Sequence, residues 1–178
     1  MRSYSQTTGA WMRGILQNDY GVDMRRVQWV TFEDAHVAEA KDSAGVIRAR
    51  PDQDMTQMLL AGELDAAIYG AELPQDPRLQ SVIADPDAAA RAWYGKHGLV
   101  PVNHMVVVTE ALAREKPQAV AELYRMLEAG KKAAPPAVGQ IDTVPFGREA
   151  NRRCLELLIS YCVQQRLIPR RLDVDELW

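Results

Sequence analysis

Val27-Gln28-Trp29-Val30-Thr31-Phe32 packs β-branched and aromatic residues into six positions and then runs into Glu33-Asp34. That composition predicts a strand whose carboxyl end opens onto a polar loop. Downstream, beyond a polar stretch holding Gly45 and Pro51, comes Asp54-Met55-Thr56-Gln57-Met58-Leu59-Leu60-Ala61-Gly62. An acidic N-cap residue and a glycine stop mark it as a short helix. Leu64-Asp65-Ala66-Ala67-Ile68-Tyr69 follows as a second strand, and the order strand, helix, strand predicts a parallel α/β sheet. Upstream, a helix is expected from Thr8 to about Tyr20, stopped by Gly21-Val22-Asp23.

The same reading continues along the chain. A short strand is expected over Leu79–Ile83, a helix over Pro86–Lys96 ended by Gly98, and a buried strand over Asn103–Val108. Glu110–Lys132 has helical spacing of Leu112, Val120, Leu123 and Leu127, with a break near Pro117 where a second helix begins. Ala133–Gly139 reads as a linker, Gly147–Leu167 as an amphipathic helix, and the C-terminal turn as docking through Leu177 and Trp178.

A chain of 178 residues with 47% hydrophobic content is long enough for one sizeable core or two small lobes. The formal net charge of −3, with acids and bases interspersed, argues against a nucleic-acid or membrane-surface partner. The longest apolar runs are strand-sized, and the N-terminus lacks the apolar stretch of a secretion signal. A cytoplasmic protein is therefore expected, or a periplasmic one if a leader lies upstream of Met1. Cys154 and Cys162 sit eight positions apart on one helical segment, too far for a disulfide, and read as small core residues.

Ahead of the first helix lies Ser3-Tyr4-Ser5-Gln6-Thr7-Thr8-Gly9. Hydroxyls and backbone N–H groups at a helix start can cradle an anion, although such loops also cap helices that bind nothing.

Four stretches taken together carry a family resemblance: Arg2–Trp11, Trp29-Val30-Thr31-Phe32-Glu33-Asp34-Ala35-His36, Gly62–Ile68 and Val102-Asn103-His104-Met105-Val106-Val107. The chain resembles the 4,5-dihydroxyphthalate decarboxylase-like proteins, which share the type 2 periplasmic-binding-protein fold. The resemblance implies only the later part of such a protein: one complete α/β lobe plus the C-terminal helices of the other. Residues 1–100 would form the ligand-binding lobe. Residues 101–178 would supply a crossover strand and helices of the first lobe, whose opening elements would lie outside this chain. Homo-oligomerisation, or dependence on a missing N-terminal lobe, is the corresponding expectation for partners.

The implied reaction removes one carboxylate from an aromatic diacid bearing ring hydroxyls. A base draws the phenolic proton, electron density moves to the carbon that loses CO₂, and an acid protonates that carbon. No cofactor and no metal is required. Ser5, Thr7, Thr8 and Gly9 with their backbone N–H groups, together with Arg13, would anchor a small carboxylate ligand, and Arg2 would pair with a second carboxylate. Residues of this type are more often solvated surface arginines, and that is the bland reading of Arg2 and Arg13.

For acid–base work, His36 at the strand end ranks first, with Glu33 to orient it or to serve as the base, and His104 beside Asn103 comes second. An exposed loop histidine and a hydrogen-bonded core histidine are the bland alternatives. His97, at a helix end, reads as a capping cation. Tyr69 closes a strand, where it would stack on or hydrogen-bond an aromatic acid. Trp11, Trp29 and Trp93 read as core. The competing function is a non-catalytic solute-binding protein using the same anion cradle.

Overall fold

The computed structural model describes residues 1–35, 37, 42, 45–70, 73–135 and 141–177. They carry α1 (Thr7–Asn18), β1 (Val30–Thr31), β2 (Ile47–Arg48), α2 (Met55–Leu60), α3 (Pro86–His97), α4 (Glu110–Glu115), α5 (Pro117–Ala133) and α6 (Arg148–Gln164), with 3-10 turns at Met24–Arg26 and Val174–Leu177. The mixture of helix and parallel strand is consistent with an α/β chain. Two compact units result: Met1–Leu99 with Leu155–Trp178, and Val100–Cys154. Leu155–Trp178 thus packs with the N-terminal residues of the first unit.

In the first unit, β1 and β2 are parallel, with Val30 opposite Ile47 and Thr31 opposite Arg48. The opening residues extend this arrangement on the other side of β1. The Met1 backbone nitrogen donates to the Val30 carbonyl at 3.0 Å, and the N–H groups of Phe32 and Glu33 donate to the Arg2 carbonyl at 2.9 and 2.8 Å. Residues 1–3 are thus tied to β1 by backbone hydrogen bonds without forming a strand of their own, and the hydroxyl-rich loop leads from them into α1.

Helix α1 buries Gly9, Ala10, Trp11, Arg13 and Gly14 on one face. Trp11 meets Tyr161 of α6 and Trp93 of α3 edge-on, at ring separations of 5.7 and 6.2 Å. Gly14 lets α1 approach α6: a Cβ there would lie 2.0 Å from the Tyr161 ring. Around these contacts Met1, Tyr4, Met55, Leu155, Ile159 and Val174 complete the buried apolar set. The C-terminal turn docks through Val174, while Leu177 stays exposed and Trp178 lies outside the described residues.

Helix ends follow the chemistry of the sequence. Asp54 and Asp85 accept from the Gln57 and Ala88 N–H groups as N-caps, Pro86 opens α3, and Gly98 ends it in the left-handed conformation at φ 67°. The break at Pro117 is present, with Lys116 closing α4 and preceding α5.

The strands differ from expectation. Val27–Phe32 yields only a two-residue ladder, and Leu64–Tyr69, Leu79–Ile83 and Asn103–Val108 form no strand. Asn103–Val108 is exposed rather than buried. The physical reason is that strand propensity reflects packing on a pleated surface more than any backbone preference. No described segment runs beside these stretches to complete a ladder.

In the second unit, Thr109 caps α4 through the Leu112 N–H. Tyr124 and Phe146 meet edge-on at 5.5 Å, and Lys131 binds Asp142 and the Val144 carbonyl at 2.7 and 2.6 Å. The Cys154 thiol donates to the Val100 carbonyl at 3.2 Å and receives the Val102 N–H at 3.3 Å. Among the described residues, no helix is long and apolar enough to cross a membrane.

Candidate functional site

The loop before α1 is built inward. Ser3 is buried, with its hydroxyl 3.4 Å from that of Ser5, while Ser5 and Thr8 are exposed. Gln6, not a serine or threonine, is the N-cap of α1, and it makes no side-chain cap bond. Thr7 and Thr8 are therefore first-turn residues rather than caps. Gly9 serves packing: a Cβ there would lie 2.1 Å from the Met1 methyl and 3.0 Å from the Arg13 guanidinium.

Arg13 is neither a solvated surface residue nor an open anchor, because it is 1% exposed. Its Nε donates to Gln165 Oε1 at 2.7 Å, one terminal nitrogen donates to the Tyr4 carbonyl at 2.7 Å, and the other faces Met1 Sδ at 3.2 Å. The guanidinium lies over the Tyr4 ring at 3.9 Å, with the Trp29 ring at 5.5 Å. No carboxylate touches it among the described residues. Burial without a counter-ion in contact lowers its pKa to about 10. At neutral pH it remains a cation held in place by neutral acceptors and aromatic faces, and it projects positive potential into its surroundings.

Those surroundings are a cleft of about 780 Å³ within the first unit. Arg13, Tyr4, Trp29, Arg26 and Arg166 border it, as do Asp23 and Arg25. Asp23 and Arg25 neutralise one another through two hydrogen bonds of 2.9 Å, which hold the Asp23 carboxyl below its usual range. Arg26 and Arg166 make no guanidinium hydrogen bond or ion pair among the described residues. The cleft is thus electropositive and partly aromatic, a setting suited to an aromatic carboxylate.

Of the described candidate site residues singled out in the sequence, Arg13 alone borders this cleft; Trp29, expected in the core, is instead half-buried and borders it as well. Arg2 is matched within the chain, donating to Glu33 at 2.6 Å. The Tyr69 hydroxyl pairs with that of Thr56 at 3.0 Å. Asn103 and His104 are exposed in the second unit, where the Asn103 amide sits 3.3 Å from His104 Nδ1. His36 lies outside the described residues. Among those residues, no group of three or more His, Cys, Asp or Glu side chains is placed to hold a metal.

His97 does more than cap a helix. Asp19, at the end of α1, accepts from Trp93 Nε1 at 3.0 Å, Lys96 Nζ at 2.5 Å and His97 Nε2 at 2.9 Å. Burial alone would raise the Asp19 pKa, but these three donors outweigh it and hold the carboxyl below its ordinary value. Both cysteines have thiol pKa values raised by burial, which makes them poor nucleophiles.

No protein-family model matches the chain. It is 26% identical over 171 residues to a 4,5-dihydroxyphthalate decarboxylase of Comamonas testosteroni, an alignment covering 87% of this chain and 52% of the relative. To a 4,5-dihydroxyphthalate decarboxylase of Pseudomonas putida it is 33% identical over 103 residues, covering 51% of this chain and 40% of that one. The chain is a distant relative of these decarboxylases. It spans about half the length of the curated relatives it matches.

Proposed function

We propose that this chain binds a small aromatic carboxylate in the Arg13 cleft and takes part in non-oxidative decarboxylation of a hydroxylated aromatic diacid. The observation that carries the reading is the buried Arg13 cation, which no carboxylate touches among the described residues, in a cleft that also presents Tyr4, Trp29 and two arginines without an ion pair among those residues. An anionic ring would offset that charge and lie against the aromatic side chains. The names of both relatives support the substrate class, 4,5-dihydroxyphthalate.

In this reading a ring hydroxyl para to the leaving carboxylate gives up its proton, the C–C bond to the carboxylate breaks, CO₂ departs, and the ring carbon takes a proton. His36, assisted by Glu33, is the proposed acid–base group. No cofactor enters the scheme. The exposed apolar residues of the second unit support self-association or association with a further lobe.

The test is CO₂ release and formation of 3,4-dihydroxybenzoate from 4,5-dihydroxyphthalate, with the chain alone and joined to an N-terminal lobe from a relative. Turnover that falls at least a hundredfold in His36→Asn is expected. Turnover unaffected by that change would remove His36 from the scheme, and no turnover in either form would end the decarboxylase reading.

One observation favours a second reading. The described carboxylate at the cleft, Asp23, is already engaged by Arg25, so no free acid–base group borders the cleft among the described residues. Binding without chemistry, as in a solute-binding protein, would show saturable uptake of a phthalate by the protein with no CO₂ released.

A further inference from the structure

Arg166 follows α6 in the left-handed conformation, at φ 57°, and it is the non-glycine residue with positive φ among those described. Its N–H donates to the Val163 carbonyl at 3.0 Å, and the Leu167 N–H donates to the Cys162 carbonyl at 2.8 Å. These bonds define a helix-ending motif whose left-handed position is usually glycine, because a Cβ there is crowded by the backbone. Glycine fills the equivalent place in α3, at Gly98. An arginine at the end of α6 is therefore conformationally costly, and its exposed side chain is not part of the buried core. Its guanidinium makes no hydrogen bond or ion pair among the described residues, and the side chain is exposed along the cleft.

The neighbouring arginines sharpen the contrast. Arg170 is paired with Glu176 at 2.6 Å, and Arg171 donates to the Ser160 hydroxyl at 2.9 Å. On the opposite sequence segment, Asp23 takes Arg25, and Arg26 has no partner among the described residues. The two cleft arginines that have no partner among the described residues thus come from segments about 140 residues apart and border one concave surface. Arg13, 1% exposed and already committed to Gln165 and Tyr4, supplies background potential rather than contact.

We infer that Arg166, together with Arg26, is the ligand-contacting cation pair of the cleft, that it grips a second carboxylate, and that it selects aromatic dicarboxylates over monocarboxylates. A guanidinium fork binds a carboxylate through two parallel hydrogen bonds, which gives directional selection that a diffuse field does not. The left-handed backbone fixes where the side chain leaves the helix end. The inference rests on the proposal that an aromatic carboxylate occupies this cleft.

The experiment measures binding of phthalate and benzoate to the full chain by calorimetry, for the wild type and for Arg166→Gly, Arg166→Lys and Arg26→Gln, alongside their melting temperatures. Wild type is expected to prefer phthalate over benzoate. Arg166→Gly is expected to weaken phthalate binding tenfold to a hundredfold and to leave benzoate nearly unchanged. It should also melt about 2–4 °C higher, because the strained position is relieved. Arg166→Lys, which keeps the charge but loses the fork, should fall between the two, and Arg26→Gln should lose phthalate selectively without the rise in melting temperature.

Stability and affinity moving in opposite directions in Arg166→Gly is a result that a merely structural arginine does not produce. If wild type prefers phthalate and Arg166→Gly binds it equally well, the assignment of Arg166 is overturned while the cleft reading stands. If wild type binds neither acid, the cleft reading itself falls and this inference falls with it.

Discussion

Trp11 and Val107 are both large apolar side chains, yet the first is 4% exposed and the second 82%. The contrast extends to their surroundings. The first unit draws its core from both ends of the chain, with α1 meeting α6 through Trp11, Gly14 and Tyr161. In the second unit Met105, Val106, Leu123, Met126 and Leu127 all remain exposed, and α5 buries no residue. Hydrophobic periodicity is equally clear in α1 and α5, so amphipathic pattern marks which face seeks a partner but does not say whether the partner is present.

This difference can be broken or sharpened by substitution. The largest effect is expected from Trp11→Ala, which empties the centre of the first unit and should cost about 3–5 kcal/mol in chemical denaturation. Leu127→Ala, on the exposed stripe of α5, should cost well under about 1 kcal/mol. Comparable losses at the two positions would show that the second unit is buried in solution. Next comes Gly14→Ala, expected to destabilise by about 1–3 kcal/mol because the new methyl meets the Tyr161 ring. Combining it with Tyr161→Ala should recover part of that loss, and additive losses would mean that Tyr161 is not the obstruction.

Acid titration tests the Asp19 hub. Its folded pKa lies below the unfolded value of about 3.9, so the ionised carboxylate contributes stability above about pH 4. That contribution is lost as pH falls through the lower folded value. Asp19→Asn should therefore differ from wild type most at neutral pH, with the gap closing below about pH 4. A gap independent of pH would show that shape alone matters there.

The smallest effect is expected at Val107→Ser, within about 0.5 kcal/mol by the same denaturation assay. Analytical ultracentrifugation of Val107→Lys adds a second readout. The wild type is expected to self-associate through its exposed apolar surface, and the lysine should shift it toward monomer. A wild type that is monomeric at every concentration would remove self-association from the picture.

Helices were the legible part of this fold because their signals are local. Asp85-Pro86 and Gly98 bracket α3, Pro117 separates α4 from α5, and the apolar spacing around Trp11 places α1. Strands were less legible, since Leu64–Tyr69 and Asn103–Val108 have suitable side chains but strand formation depends on a neighbour elsewhere. The cleft shows the same division. Arg13 stood out beside the hydroxyl-rich loop, yet its burial depends on Gln165, 152 residues away. Arg26 and Arg166 carried no motif. The one local clue to Arg166 is a helix that ends at Gln165-Arg166-Leu167 without a glycine.

The bond from Arg13 to Gln165 also has a consequence for how the protein is made. Gln165 accepts from Arg13 and donates to the Ala10 carbonyl, so the core around α1 cannot close until the segment that carries Gln165, 152 residues beyond Arg13, has been made. At ordinary rates of synthesis, roughly 5–20 residues per second, α1 waits on the order of ten seconds with Trp11 and Arg13 uncovered. Nascent chains stalled before α6 should be rich substrates for chaperones, and those extended past Gln165 should abruptly cease to be.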